Sequence, residues 1–342
     1  MVDVCVNGYG TIGKRVAEAI TKHPKLKLVG ISKYTPDQDA KLANSNGFNV
    51  FVLKDSIKNF ESKGVDIAGS VDDMITGSEI VVDASADGKG MQNKQTVYQP
   101  ENKNAIFQGG EEEDIADISF NARSNFEKAT GKQFIRVVSC NTTGYCRLIK
   151  PLMENYKIRH INAFLIRRGA DLNDAKGSAL NAVEWKARSH HAHDVQTVLE
   201  NIPMTSIAFK VPHTHSHINS MNIIFEDGRP SKDDLIDLYS KESRVAVLNT
   251  VSTSSQIVEA ARDLELPRND TFVVSLLANT IEINDGGVFL SFSVPQESIV
   301  VPENIDAILS QTGVMSKEES MKLTNELIGI SKVKLNLEKI FA

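Results

Sequence analysis

The sequence has few aromatic residues, little basic charge and no long apolar run. Phe, Trp and Tyr make up 6% of its 342 residues, too few for an extended surface that stacks on nucleic-acid bases. The 38 basic and 44 acidic residues give a net charge of -6, which also argues against nucleic acid as a partner. No segment approaches the roughly 18 consecutive apolar residues of a membrane-spanning helix. We therefore expect neither a nucleic-acid partner nor a membrane partner.

Cysteine is scarce as well, and Cys5, Cys140 and Cys146 are too few for a disulfide framework. Free thiols are typical of reducing compartments. The first residues also lack the basic and apolar segments of a secretion signal. These absences predict a cytoplasmic protein, and the chain length predicts two domains.

The first part of the chain alternates strand-like and helix-like segments. Val2 to Val6 is a short apolar strand, and Val16, Ala17 and Ile20 then recur at helical spacing. Further strand-like runs alternate with helix-like segments around residues 37–46, 88–98 and 114–127. This alternation predicts an α/β fold, with an amino-terminal Rossmann-like, doubly wound parallel sheet.

After about residue 150 strand-like runs dominate, and helical segments return at Pro302. Asn284-Asp-Gly-Gly287 has the composition of a hairpin turn between two of these runs. Ser231 and Ser316 each begin a capping-box sequence, which predicts helices directly after them. The second region is therefore predicted to be an α+β domain with a mainly antiparallel sheet.

Gly8, Gly10 and Gly13 form a Gly-x-Gly-x-x-Gly turn between the first strand and the first helix. In that context the glycines permit a tight turn, close approach to a pyrophosphate, and close packing of helix on strand. The turn predicts dinucleotide binding, with a purely structural tight turn as the alternative.

An acidic residue normally ends the second strand of such a unit, where it binds the adenosine ribose. Here the strand ends in Ser32-Lys33-Tyr34, and the first acid is Asp37. Ser32 and Lys33 are able to bind a 2′-phosphate that an acid would repel. We predict that NADP is accepted, whether or not it is preferred over NAD. The alternative is a solvated Lys33 and equal use of NAD.

Cys140 lies where an apolar strand gives way to the polar turn Asn141-Thr-Thr-Gly144. A thiolate at this position is able to add to an aldehyde and to become a thioester after hydride leaves. A helix starting here is expected to lower the pKa of the thiol. Cys140 is thus a candidate nucleophile, whereas Cys5 and Cys146 are predicted to be buried small side chains.

Several ordered blocks together resemble the archaeal-type, phosphorylating glyceraldehyde-3-phosphate dehydrogenases, and they span residues 7 to 304. The blocks are Asn7-Gly-Tyr-Gly-Thr-Ile-Gly-Lys-Arg15, Phe107-Gln-Gly-Gly110, Val137-Val-Ser-Cys-Asn-Thr-Thr-Gly144, Arg167-Arg-Gly-Ala-Asp171, Ser189-His-His191 and Gln296-Glu-Ser-Ile-Val-Val-Pro-Glu-Asn304.

The resemblance implies reversible oxidation of glyceraldehyde 3-phosphate with NAD(P)+ and inorganic phosphate to 1,3-bisphosphoglycerate, a reaction of glycolysis and gluconeogenesis. It also implies a homotetramer, and carboxy-terminal helices that pack on the nucleotide-binding domain. The expected domains are therefore 1–139 with 302–342 (dinucleotide binding) and 140–301 (catalytic).

The same resemblance implies roles for individual residues. Cys140 is the nucleophile, with Ser139 and Asn141 beside the substrate. The residues expected at the cofactor, besides the three glycines and Lys33, are Thr11, Ile12, Gly110, Arg168 and Gln296, and Arg168 is also expected near a phosphate.

His217 matches the family's catalytic histidine by position and is predicted to be the general base. It ends the segment Val211-Pro-His-Thr-His-Ser-His217, in which His213 and His215 are extra. If this segment is a strand, all three histidines are able to face one side. A metal site and neutral, hydrogen-bonded histidines are the alternatives for the trio, and no metal is predicted.

Two anions, the substrate phosphate and inorganic phosphate, need binding groups. Arg167, His190, His191, Thr142 and Thr143 supply suitable donors. The alternative role for Arg167 is an ion pair between domains or subunits.

Asp171 and Asp174 are predicted to be structural partners of nearby arginines. Ala192-His-Asp194 replaces the family's usual Gly-Pro-Asp, which leaves the geometry of the phosphate site open.

Two other readings remain. One is another cysteine-dependent enzyme, such as aspartate-semialdehyde dehydrogenase or N-acetylglutamyl-phosphate reductase, whose substrates carry a carboxylate in place of the terminal phosphate. The other is a non-catalytic NADP-sensing scaffold, for which replacement of Cys140 leaves function intact.

Overall fold

The computed structural model describes residues 1–86, 88–169, 183–213 and 215–342. Contacts divide the chain into two compact units. The first unit is Met1–Val138 with Val301–Ile328, and the second is Ser139–Val300 with Gly329–Ala342. Among the described residues, no helix combines the length and apolar character needed to cross a bilayer.

The first unit contains a sheet whose eight described strands are all paired in parallel. Its strands are β1 Val2–Asn7, β2 Leu26–Ser32, β3 Val50–Val52, β4 Gly69–Ser70, β5 Ile80–Asp83, β6 Asn104–Phe107, β7 Ile118–Phe120 and β8 Phe134–Val137. Its helices are α1 Thr11–Lys22, α2 Gln38–Ser45, α3 Ile57–Ser62, α4 Val71–Thr76, α5 Lys89–Asn93 and α6 Ala122–Asn125, with α11 Val301–Thr312 and α12 Lys317–Leu327 from the later segment.

The strand order β4-β3-β2-β1-β5-β6-β8-β7 places β1 inside the sheet, with the chain winding outward from it in both directions. The sides of β1 and β5 that carry Cys5 and Val81 pack into a core with Phe107 and Tyr98. This doubly wound arrangement confirms the predicted Rossmann-like fold.

The segment 114–127 is not the single helix that its sequence suggested. It contains β7, which pairs in parallel with β8, and the short helix α6 follows. The Asp117 carboxylate accepts the backbone N–H of Phe134 at 2.9 Å, and Phe120 is buried against Phe126. Pairing with an existing strand therefore overrides the local helical pattern.

The second unit contains a mixed sheet of seven described strands in the order β10-β11-β9-β12-β15-β14-β13. The strands are β9 Ile158–Arg168, β10 Glu184–Lys186, β11 Met204–Val211, β12 His217–Phe225, β13 Val245–Leu248, β14 Val274–Asn284 and β15 Gly287–Val294. The helices are α7 Cys140–Asn155, α8 His191–Gln196, α9 Lys232–Ser240, α10 Ser254–Asp263 and α13 Ile330–Ile340.

Most strand pairs in this sheet are antiparallel, and only β9–β11 and β13–β14 are parallel. The mainly antiparallel α+β fold is thus confirmed. The hairpin at Asn284 and Gly287 is present, and Gly287 has φ +129°. A Cβ there would lie 2.4 Å from the carbonyl oxygen of Ile223, so only glycine fits.

Both capping boxes predicted from sequence are confirmed. Ser231 is the N-cap of α9 and Ser316 is the N-cap of α12. In each case the serine hydroxyl accepts the backbone N–H of the acid three residues later, Asp234 or Glu319, and that acid's carboxylate accepts the backbone N–H of the serine. Each cap stabilises its helix by about 1 kcal/mol.

The last helix corrects the expectation that 302–342 packs as one piece with the first domain, because residues 329–342 belong to the second unit. In α13, Val333 and Leu337 are buried. The Glu338 carboxylate accepts the N–H of Val247 at 3.1 Å, and the Phe341 carbonyl accepts that of Asn249 at 2.8 Å. Only α11 and α12 join the first unit, where Glu303 of α11 accepts the N–H of Ala122.

Candidate active site

The glycine turn joins β1 to α1 in the first unit, and two of its glycines are required by the surrounding backbone. Gly8 has φ +112°, and a Cβ there would lie 2.4 Å from the carbonyl oxygen of Ala84. A Cβ on Gly13 would lie 1.9 Å from the carbonyl oxygen of Gly8. At Gly10 a Cβ would meet nothing within 4 Å, and no side chain caps α1. The open space at Gly10 and the uncapped N–H groups at Thr11 and Ile12 suit an anion.

Ser32 has a structural role that excludes the one its sequence position suggested. Its hydroxyl is fully buried, accepts the N–H of Gly8 at 2.8 Å, and donates to Asn7 Oδ1 at 2.7 Å. Asn7 in turn donates to the Tyr98 hydroxyl, which donates to Asp83. The prediction that Ser32 binds a 2′-phosphate is therefore wrong, because both hydrogen-bonding functions of the hydroxyl hold the glycine turn.

Lys33 is not the solvated surface lysine of the alternative reading. Its side chain is 11% exposed, and its ammonium lies 2.9 Å from Asp37 Oδ2. Lys14, in the first turn of α1, makes a similar pair with Asp39 at 3.0 Å and is also 11% exposed. Both lysines are therefore neutralised by carboxylates of the segment that begins α2.

Gly110 lies in an exposed turn that follows β6. Two residues earlier, Gln108 makes a reciprocal amide pair with Asn304 of α11, with N–O distances of 2.8 and 3.1 Å. This pair fixes the start of the turn against a helix of the same unit.

Cys140 is the first residue of α7 in the second unit, directly after the N-cap residue Ser139. The Ser139 hydroxyl accepts the N–H of Thr142 at 3.4 Å and lies 2.9 Å from the Thr142 hydroxyl. Asn141 is buried, and its side-chain oxygen accepts the amide N–H of Asn219 at 3.0 Å. The half-buried thiol is thus held at a helix amino terminus by a hydrogen-bonded frame.

Burial raises the pKa of the Cys140 thiol to about 11, although the N–H of Asn141 and the charges of Arg168 and Arg167 act in the opposite direction. The expectation of a lowered pKa is therefore wrong for this structure, because the cost of desolvating a thiolate exceeds these stabilising contacts. Cys5 and Cys146 are fully buried, as predicted, and burial raises the pKa of Cys5 to about 12.

The raised pKa predicts the pH dependence of alkylation at Cys140. Only the thiolate reacts, so its rate with iodoacetamide should rise by about tenfold per pH unit from pH 7 to 10. Peptide mass spectrometry measures this rate, with the buried Cys146 as the internal control. A plateau below pH 8 would contradict the raised pKa.

His217 begins β12 and is buried. The backbone N–H of Arg168 donates to its Nδ1 at 3.1 Å, so the hydrogen of the neutral ring lies on Nε2. Burial, followed by the charges of Arg168, Arg167 and His213, lowers the pKa of His217 to about 3. The ring is therefore neutral at physiological pH and presents a donor at Nε2.

His213 and His215 do not share a strand with His217. β11 ends at Val211 and β12 begins at His217, and Ser216 between them has φ +64°. The predicted strand parity of the three histidines is wrong because this chain reversal interrupts it. Across the described ranges, no group of three or more His, Cys, Asp or Glu side chains is arranged to hold a metal.

Arg167 and Arg168 end β9 and have different surroundings. Arg168 is buried and its guanidinium lies 2.6 Å from the Glu297 carboxylate. Arg167 Nε is also buried, and it has no hydrogen-bond partner within the described part of the chain. The same holds for Oε1 of Gln296. The Arg167 donor and the Gln296 acceptor are therefore both unsatisfied in this unit. Unsatisfied buried polar atoms are typical of a ligand site.

His190 and His191 stack with ring centroids 4.1 Å apart. His190 is exposed, whereas His191 is buried with Nδ1 3.2 Å from the Ser189 hydroxyl. Burial, followed by the charges of His190, Arg167 and His217, lowers the pKa of His191 to about 2. His191 is therefore neutral, and these groups lie within electrostatic range of one another.

Three residues of this site were not assigned from sequence. Asp194 accepts the Thr142 hydroxyl at 3.3 Å, Glu297 pairs with Arg168, and Asn219 holds Asn141. Asp194 and Glu297 adjoin the recognised blocks, but their partners become visible only in three dimensions. Asp171 and Asp174 lie outside the described residues.

Comparisons with known proteins agree with the site. Residues 139–269 match the family described as glyceraldehyde 3-phosphate dehydrogenase, C-terminal domain. A glyceraldehyde-3-phosphate dehydrogenase of Sulfurisphaera tokodaii is 42% identical over 97% of this chain and 98% of its own length. Those of Saccharolobus solfataricus and Saccharolobus islandicus are 42% and 41% identical over 97% of this chain and 99% of their own.

Proposed function

Because this chain belongs to the glyceraldehyde-3-phosphate dehydrogenase family, we propose that it oxidises D-glyceraldehyde 3-phosphate reversibly with NAD(P)+ and inorganic phosphate. The product is 1,3-bisphosphoglycerate. The observation that carries this proposal is Cys140 at the start of α7, within range of the charges of Arg167 and Arg168.

Cys140 is proposed to react as a thiolate after its proton is lost to solvent. Its sulfur forms a bond to the aldehyde carbon, and the aldehyde oxygen becomes the hemithioacetal oxyanion. His217 donates its Nε2 hydrogen bond to that oxygen, which fits the tautomer set by Arg168. Loss of hydride leaves a thioester, and attack by inorganic phosphate forms the acyl phosphate and releases the thiolate.

The predicted role of His217 as a general base requires its other tautomer. An Nδ1 hydrogen would face the donating N–H of Arg168, so that tautomer loses a hydrogen bond. The resting geometry therefore favours the donor role, and the two roles make different predictions for variants.

The residues present fit a nicotinamide dinucleotide. The open approach at Gly10 and the start of α1 suit its pyrophosphate, with Thr11, Ile12 and Gly13 supplying N–H groups. The unsatisfied Gln296 Oε1 suits an amide donor such as the nicotinamide carboxamide. When bound, this cofactor accepts the hydride. Gly110 and Arg168 are further proposed contacts.

The substrate phosphate and inorganic phosphate are proposed to bind Arg167, His190, His191 and the Thr142 hydroxyl, with Ser139 beside the substrate. The support is the unsatisfied Nε of Arg167, together with the stacked pair of His190 and His191, of which His191 is buried. A phosphate oxygen satisfies a buried guanidinium N–H.

An exposed apolar face of the second sheet supports self-association, proposed here as a homotetramer. Strand register aligns Trp185, Phe209, Ile166 and Ile218 in one row across four strands. Trp185 is 74% exposed and Ile166 is 44% exposed, and Phe164 is 42% exposed on the same face. A contiguous apolar face of this kind marks a protein interface.

Replacing Phe164 with glutamate should therefore produce smaller species. A charge buried in an apolar interface is expected to lower the association constant of the subunits several-fold. Sedimentation velocity measures the assembly state. Leu42→Glu is the matched control, since Leu42 is similarly exposed but lies in the first unit. An unchanged tetramer in the Phe164 variant would place the interface elsewhere.

Reduced cofactor formation, followed by absorbance, tests the proposed reaction. Turnover should require glyceraldehyde 3-phosphate and inorganic phosphate together, with either NAD+ or NADP+. Turnover only with aspartate semialdehyde or N-acetylglutamate semialdehyde would overturn it. All three cysteines are free, which fits the proposed cytoplasmic location.

A further inference from the structure

Two partly buried lysines beside the glycine turn are each neutralised by an acid at the start of α2. Lys33 pairs with Asp37 at 2.9 Å and Lys14 pairs with Asp39 at 3.0 Å. These acids stand five and seven residues after the end of β2 at Ser32. The strand end itself has no acid, but the acids nearest to it in the sequence are both paired with these lysines.

These pairs lie close to the turn that the proposed function assigns to the dinucleotide. The N–H groups of Gly8 and Tyr9 donate to the side chain and backbone of Ser32, at 2.8 and 3.0 Å. Lys33 follows Ser32 directly, and the Tyr34 hydroxyl donates to Asn7 at 2.8 Å. The end of β2 thus adjoins the glycine turn through three hydrogen bonds.

Asp37 is fixed by two interactions at once. Its Oδ1 accepts the N–H of Ala40 as the N-cap of α2, at 3.1 Å, and its Oδ2 holds the Lys33 ammonium. The carboxylate is consequently unable to move away without uncapping a helix. An arriving 2′-phosphate, with a charge near -2, must compete with Asp37 for Lys33 and also meets its negative charge.

We infer that Asp37 is a specificity-determining residue that restrains NADP binding by occupying Lys33. This inference rests on the proposed function, because it concerns the cofactor of that reaction. NAD has an uncharged 2′-hydroxyl, which does not compete with Asp37 for Lys33 and is not repelled by the charge of Asp37. Asp37 therefore favours NAD although no acid ends β2.

Asp37→Asn tests the inference, because asparagine caps helices as well as aspartate does. Isothermal titration calorimetry should show NADP+ binding tightened by about tenfold, with NAD+ binding changed by less than about twofold. Asp37→Ser, which also keeps a cap, should act in the same direction. Melting temperatures verify that each variant folds.

Asp39→Asn is the matched control, since it releases Lys14 instead of Lys33. We expect it to change the preference less than Asp37→Asn does. Adding Lys33→Met to Asp37→Asn should abolish the gain in NADP+ affinity. An unchanged ratio of the two dissociation constants in Asp37→Asn, or a gain that persists without Lys33, would overturn the inference alone. A parent protein that binds neither dinucleotide would overturn the proposed function as well.

Discussion

Replacing Cys140 with serine should reduce phosphate-dependent formation of reduced cofactor by about 10^4-fold. A serine hydroxyl has nearly the same size as the thiol, so the start of α7 and its Ser139 cap should be retained. An alkoxide is much harder to form than a thiolate, and burial at this position raises the cost for either anion. Aldehyde addition should therefore fail while cofactor binding persists.

A stopped-flow burst of reduced cofactor and calorimetric binding of NAD(P)+ separate these two effects. Cys146→Ser is the matched control, because this second thiol lies on the same helix but is fully buried and has no proposed role. It should retain the burst, with a change in stability only. A burst of the parent's amplitude in Cys140→Ser would show that Cys140 is not the nucleophile.

Replacing His217 with alanine should lower kcat by about 10^2- to 10^3-fold, the range expected for loss of one donor to a developing oxyanion. His217→Gln should recover part of this loss, since its amide supplies an N–H donor but no base. Steady-state kinetics with both variants measures the difference. Equal losses in the two variants would instead indicate that His217 takes up a proton.

The pH profile provides an independent check of the same role. With a pKa lowered to about 3, His217 is already neutral at pH 5, so its charge does not change between pH 5 and 8. The parent's kcat/KM should therefore have no acidic limb that belongs to His217. An acidic limb with a midpoint near 6.5 that disappears in His217→Gln would contradict the donor role.

Local sequence patterns predicted much of the fold correctly. The turn Gly8-x-Gly10-x-x-Gly13, the caps at Ser231 and Ser316, and the hairpin at Asn284 depend on backbone geometry within a few residues. Such features can be read from short segments because neighbouring residues determine them. The position of Cys140 at a helix start was predicted for the same reason.

Features that depend on distant partners were missed. The strand at Ile118 is determined by pairing with β8, and α13 joins the second unit through Val247 and Asn249. The Ser32 hydroxyl forms hydrogen bonds with Gly8 and Asn7, which lie at the end of the neighbouring strand β1. None of these contacts leaves a periodic signal in the sequence.

Electrostatics was the least predictable part of the site. The helix start at Cys140 correctly indicated a stabilising N–H contact, but the sequence did not reveal how strongly burial would oppose it. Lys33 and Asp37 are only four residues apart in the sequence. Its effect on cofactor choice depends on how these side chains lie beside the glycine turn.

Mapping the acyl-enzyme by mass spectrometry tests whether Cys140 carries the substrate during the reaction. The protein is mixed with glyceraldehyde 3-phosphate and oxidised cofactor without inorganic phosphate, quenched in acid, and digested. We expect a 3-phosphoglyceroyl thioester on the peptide that contains Cys140, and we expect it to disappear when inorganic phosphate is added before the quench. Turnover of the aldehyde with no adduct on Cys140, or with an adduct on another residue, would contradict this role of Cys140.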